Sequence, residues 1–181
     1  MTTNDVIAEG KLIAISPYGK QKKITLFCKS QSGKNVYPQF ICKEIDEKLL
    51  QEYVHVEGYV QNRPVYRGSE RVYQTSFTLT YIEKCRTAKN GLAACSNRIN
   101  IYLQGIITSF RQVNDWITMT VDVGKNKGHM PVRVQMFKDA AKGVLDTTNT
   151  IKCTCELLTP TKIVNGKRNA YRNIIVTEIC N

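Results

Sequence analysis

The chain has 181 residues, enough for one or two domains with a real core in each. Apolar residues make up 42% and charged residues 23%, a balance that excludes a disordered or coiled-coil chain. Twenty-six Lys and Arg stand against fifteen Asp and Glu, and the formal charge of +11 attracts polyanions and speeds their capture.

Met1-Thr2-Thr3-Asn4-Asp5 lacks the basic segment and apolar run of a secretory signal. The apolar runs are as short as Leu12 to Ile15, so no membrane span is predicted and the chain is read as cytoplasmic. Strand patterning begins at Val6–Ile13, which contains Gly10, and resumes at Lys23–Cys28 and Pro38–Cys42. Lys43 to Gln51 leaves the period of two, with Ile45, Leu49 and Leu50 at helical spacing. Strands then return at Tyr53–Val60 and, after a polar loop, at Arg71–Leu79.

The same order repeats downstream. Ile101–Thr108 carries Gly105, which lies 95 residues after Gly10. Trp116–Val121 and Val132–Met136 follow at offsets of 93 and 94 from their counterparts. Lys138–Leu145 is the second short helical segment, and Ile151–Leu157 and Tyr171–Ile179 are the last two strands. Offsets that drift by a residue or two are what loops of changing length produce.

Five strands with a helix between the third and fourth is the element order of the oligonucleotide-binding (OB) fold. A glycine inside the first strand suits a sheet that bends sharply enough to close. The expected architecture is therefore all-β: two tandem five-stranded OB-fold barrels, each with a short helix between strands 3 and 4. The first occupies residues 1–84 and the second 97–181, with 85–96 as the linker.

Val54-His55-Val56-Glu57-Gly58-Tyr59-Val60, followed by Arg71-Val72-Tyr73-Gln74-Thr75, resembles the last two strands of bacterial and phage single-stranded DNA-binding proteins. That family carries a V-x-V-E-G strand, a basic loop and an R-Y-x-T strand. The resemblance implies the OB fold and sequence-tolerant binding of single strands, with replication or recombination proteins as possible partners. It covers the first copy by motif and the second by pattern, since Cys155 stands where the first copy has Gly58. This chain departs from the family in carrying two copies and in ending at Glu178-Ile179-Cys180-Asn181 with no acidic tail.

An OB barrel binds across strands 2 and 3, between the loops joining strands 1–2 and 4–5. Alternation turns Ile24, Leu26 and Cys28 inward and leaves Lys23, Thr25 and Phe27 outward; in the second copy Ile117, Met119 and Val121 turn inward and Trp116, Thr118 and Thr120 outward. Strand 3 adds Tyr37 and Gln39, then Arg133 and Gln135. The 1–2 loops supply Tyr18, Lys20, Lys22 and Lys23, then Phe110 and Arg111. The 4–5 loops supply Arg63, Tyr66, Arg67 and Arg71, then Lys162, Lys167, Arg168 and Arg172. Aromatic rings interleaved with basic residues are the composition of a base-stacking groove. The same rings would equally cover a subunit or domain interface, and a self-associating oligomer is compatible with the sequence.

No catalytic constellation, cofactor fingerprint or zinc set is present; the chain lacks a Walker loop, an H-x-E signature and paired C-x-x-C motifs. Seven cysteines without a signal read as reduced thiols. His55 reads as a surface residue on its strand, and His129 as a hairpin residue within reach of phosphate. Three readings remain open: a single-stranded DNA binder, an RNA-binding OB protein, and a module that binds replication or conjugation proteins.

Overall fold

A computed structural model describes residues 3–87, 92, 94–124, 128–145 and 149–180; within them the side chains of residues 63–65, 67, 70–73, 142, 143, 164, 167, 169 and 170 lie outside the description. The chain is all-β, with one α-helix among the described residues. It divides into two compact units.

The first unit comprises Asp5–Val60 and Ser76–Asn100. Its strands belong to β1 (Thr3–Tyr18), β2 (Gln21–Lys29), β3 (Asn35–Val36), β4 (Gln39–Cys42), β5 (Tyr53–Arg67) and β6 (Glu70–Lys84). β1 pairs with β2 and β5, β2 with β4, β4 in parallel with β6, and β6 with β5, so five strands close in a ring. The inward set lines the interior: Leu12, Ile24, Leu26, Cys28, Val54 and Val56 have no exposed surface. Phe40 and Phe77 pack ring to ring across the parallel pair, their centroids 5.2 Å apart. Gly10 lies where β1 crosses β2. A Cβ there would stand 2.5 Å from the Phe27 carbonyl oxygen, so the site admits no side chain.

The segment after strand 3 does not form the expected helix over Lys43–Gln51. It makes a single 3-10 turn at Glu47–Leu49, capped by the Asp46 carboxylate, which accepts from the Lys48 amide at 3.0 Å. None of the three turn residues is buried. Without an apolar face to pack, so short a helix lacks what sustains it.

The second unit gathers Met1–Asn4, Gln61–Thr75 and Ile101–Asn181. Its strands are β7 (Ile99–Val113), β8 (Trp116–Asp122), β9 (Pro131–Phe137), β10 (Thr150–Leu158) and β13 (Asn173–Ile179), with a separate hairpin of β11 (Thr161–Val164) and β12 (Lys167–Ala170). The pairings run β7–β8, β8–β9, β9–β13 in parallel, β13–β10 and β10–β7, again a closed ring of five. Helix α1 (Lys138–Leu145) lies between β9 and β10 and buries Ala141 and Val144. At Gly105 a Cβ would overlap the Asp122 carbonyl on β8, the same constraint as at Gly10. The outer ends of β5 and β6 also belong to this unit. There the Asn62 side-chain amide donates to the Pro131 carbonyl at 2.7 Å, and the Thr75 hydroxyl donates to Asn62 Oδ1 at 3.2 Å.

Cys85 and Ser96, at the two ends of the expected linker, and the neighbouring Asn97 hydrogen-bond within the first unit. The Cys85 amide donates to the Tyr53 carbonyl at 2.8 Å, the Ser96 amide to Glu9 Oε2 at 2.6 Å, and the Lys29 amide to the Asn97 carbonyl at 2.9 Å.

Candidate nucleic-acid interface

In the first unit the outward face of β2 is a row of alternating residues. Register places Lys11 beside Phe27, Ala14 beside Thr25 and Gln39, and Ser16 beside Lys23. Phe27 is half-buried because Tyr37 leans on it: their ring centroids are 5.6 Å apart at 43°. Tyr37 is itself 44% exposed. At the other end of the row, the β1–β2 turn has Gly19 at φ 59, and Lys23 Nζ sits 5.9 Å from the centre of the exposed Tyr18 ring. Lys20 is exposed beside them. Lys22 turns away to Glu47, 2.7 Å distant. That hydrogen bond raises the lysine above its ordinary value and lowers the carboxyl below its own, so Lys22 is the loop lysine already partnered. Ser16, Gly19, Lys20, Lys22, Lys43 and Glu47 line a cleft of about 300 Å³ under this hairpin.

In the second unit three ranks cross β7, β8 and β9. Val113, Trp116 and Phe137 form one, Arg111, Thr118 and Gln135 the next, and Ser109, Thr120 and Arg133 the third. Trp116 and Phe137 stack with centroids 4.1 Å apart at 31°, and Phe137 is 56% exposed. Phe110 does not join them: it pairs with Met119, on the opposite side of the strand from Arg111. The β7–β8 turn, with Asn114 at φ 54, is fastened to α1. The Lys138 amide donates to the Asp115 carbonyl at 2.9 Å, and Lys138 Nζ donates to Asp115 Oδ1 at 2.7 Å.

The 4–5 loops are hairpins. β5–β6 turns near Gly68 at φ 64 and exposes Tyr66. The side chains of Arg63, Arg67 and Arg71, like that of Lys167, lie outside the described residues. β11–β12 turns at Asn165 and Gly166, φ 50 and 71, and presents Lys162 and Arg168 to solvent. Lys162 Nζ is 5.9 Å from the centre of the Tyr171 ring. Arg172 is drawn in beside β13 and not splayed at a hairpin tip. Its Nε is buried without a hydrogen-bond partner, and burial lowers the guanidinium below its usual range.

Phe137 and Tyr171 are absent from the sequence-derived set. Phe137 ends strand 3 one residue before the helical segment, and its outward position follows from the same alternation that turns Val134 and Met136 inward. Tyr171 opens the last strand expected from the sequence, but β13 begins at Asn173, so strand alternation does not govern its side.

Both histidines face carboxylates. His55 Nδ1 is 3.1 Å from Glu9 and Nε2 3.3 Å from Glu57. Both partners are acceptors, so both nitrogens donate only in the imidazolium form. Burial opposes that charge, but the two hydrogen bonds and the two negative charges outweigh it and raise His55 above its ordinary value. His129 lies 2.6 Å from Asp122. Among the described residues no group of His, Cys, Asp and Glu is placed to hold a metal ion. No helix there is long and apolar enough to cross a membrane.

Five strands closed in a ring, with β4 parallel to β6, make an OB-like barrel. Two crystal structures of the single-stranded DNA-binding protein from Thermus aquaticus share it. The wild-type structure is 14% identical with a TM-score of 0.66 and is covered over 92% of its length; a deletion mutant is 13% identical with a TM-score of 0.64 and is covered over 93%. Each comparison spans 98% of this chain. No protein-family model matches the sequence, and no curated protein matches it.

Proposed function

We propose that the chain binds single-stranded DNA with little regard to sequence, through two OB barrels in tandem, at 1–84 and 97–181, joined by 85–96. It works inside the cell as a coating factor in replication, recombination or plasmid and phage DNA transfer, and does no chemistry on its ligand. One observation carries the reading: on a fold shared with single-stranded DNA-binding proteins, each unit presents an outward aromatic pair, Phe27 on β2 with Tyr37 just before β4 and Trp116 on β8 with Phe137 on β9, with basic residues nearby. Rings stack on any base, and cations track the phosphates, so neither demands a sequence.

Trp116 is the chain's one tryptophan and reports directly on the second face. Its fluorescence is followed during titration with poly-dT, poly-rU and duplex DNA at two salt concentrations. Quenching by poly-dT alone, weakened by salt, is the expected result. Equal quenching by poly-rU would move the function to RNA. Silence toward all three polymers would assign the exposed rings to a protein partner.

A further inference from the structure

All seven cysteines are free, and two meet across a chain reversal in the first unit. The Ala94 amide donates to the Arg86 carbonyl at 2.8 Å, so the two arms run antiparallel with 86 opposite 94. One step outward, Cys85 stands opposite Cys95. That position makes no ladder bonds across the reversal, since the Cys85 amide donates to Tyr53 on β5. Opposed residues at such positions have Cα atoms about 4.5 Å apart, inside the range of about 4.4–6.8 Å that a disulfide bridges. The two thiols lie near enough to act on each other. Cys85 is buried and Cys95 half-exposed.

We propose that Cys85 and Cys95 form a reversible disulfide by exchange with a small-molecule disulfide such as oxidised glutathione, closing residues 85–95 into a covalent loop. The accessible Cys95 thiolate attacks one sulfur of the oxidant, releasing a glutathione thiolate and leaving a mixed disulfide on Cys95. Cys85 then gives its proton to water and attacks the Cys95 sulfur, expelling the second glutathione. Two protein thiols are oxidised and one disulfide is reduced to two thiols. The second step is the slow one. Burial first, and Cys95 next, push the Cys85 thiol up to about 12. The part due to Cys95 falls away once that sulfur is capped and uncharged, and the rate rises with pH.

The competing partner for Cys95 is Cys28, which is fully buried on β2 and also pushed up to about 12, by burial and then by Cys95. The full-length chain is incubated with oxidised glutathione, alkylated, digested without reduction and mapped by mass spectrometry. The expected product has lost two hydrogens, yields a linked Cys85–Cys95 peptide pair and reverts with dithiothreitol. Cys28→Ser leaves the link intact, and Cys85→Ser leaves Cys95 carrying glutathione. A Cys28–Cys95 link, glutathione adducts without any link, a link between two chains, or no change in mass would each overturn the proposal. The map of the unsubstituted chain decides even where Cys85→Ser fails to fold.

Discussion

Trp116 and Phe137 are paired across β8 and β9, so each ring limits the freedom of the other before any ligand arrives. Alanine at either position should weaken binding of a labelled dT oligomer by about 1–3 kcal/mol, measured by fluorescence anisotropy. Thermal stability should change far less for Phe137→Ala, because that ring is more than half exposed. Gly105→Ala should do the reverse. Its Cβ would collide with the Asp122 carbonyl, a fixed backbone atom, and overpacking of this kind costs about 1–3 kcal/mol of stability, read as a lower Tm. Asp122 also sets an acid limit. His129, then the Met130 and Gly124 amides, hydrogen-bond its carboxylate and hold it at about 2, below the usual carboxylate range. A depressed carboxyl stabilises the fold fully above its unfolded value, and that contribution is lost as pH falls through its folded one. Thermal melts should therefore show Asp122→Asn less stable than the parent at neutral pH, with the gap closing between about pH 4 and 2.

At the scale of elements, strands such as β2, β8 and β9 were legible because one face is buried and the period of two holds along them. Ile24, Leu26 and Cys28, and Met119 and Val121, are all sealed, as alternation requires. Their ends were not legible: β1 and β7 run on as exposed ribbons past the core, where no buried face writes a pattern. The two helical segments show the limit of spacing alone. Ala141 and Val144 have a core to pack against, whereas Ile45, Leu49 and Leu50 stay partly or largely exposed and only a 3-10 turn results. The β11–β12 hairpin did leave a signal, since Asn165-Gly166 is the dipeptide favoured where two successive residues take positive φ. Of the candidate site, the outward residues of strands 2 and 3 could be placed from the sequence. The sides taken by Phe110 and Arg172 could not, because Phe110 follows a register shift between Ile107 and Ser109 and Arg172 precedes β13. Gly166→Ala should cost about 1–2 kcal/mol in its left-handed conformation. Since this hairpin stands apart from the ring, the loss should appear as faster amide exchange over 161–170 with little change in global Tm.

For the whole molecule, charge is shared unevenly. Residues 1–84 hold 12 basic and 9 acidic residues, net +3, and 97–181 hold 12 and 6, net +6. The second half should therefore carry more of the salt-sensitive affinity. If about four phosphates are neutralised, log K should fall with log salt at a slope of about −2.8; a constant unmoved between dilute and physiological salt would refute this. Under the proposed tandem binding, each unit raises the effective concentration of strand for the other. Phe27→Ala should accordingly lower the affinity of the intact chain for long oligomers more than for ones too short to reach both faces.

Closed rings hide their strand edges, which removes the usual template for one molecule to zip onto the next. Among the described residues the separate β11–β12 hairpin keeps unpaired edges, and Ile163 on it is 78% exposed. Lys162 and Arg168 flank that isoleucine, and like-charged neighbours act as gatekeepers against aggregation. Neutralising those two cations should raise the tendency to precipitate or form fibrils on storage, read as turbidity against the parent chain.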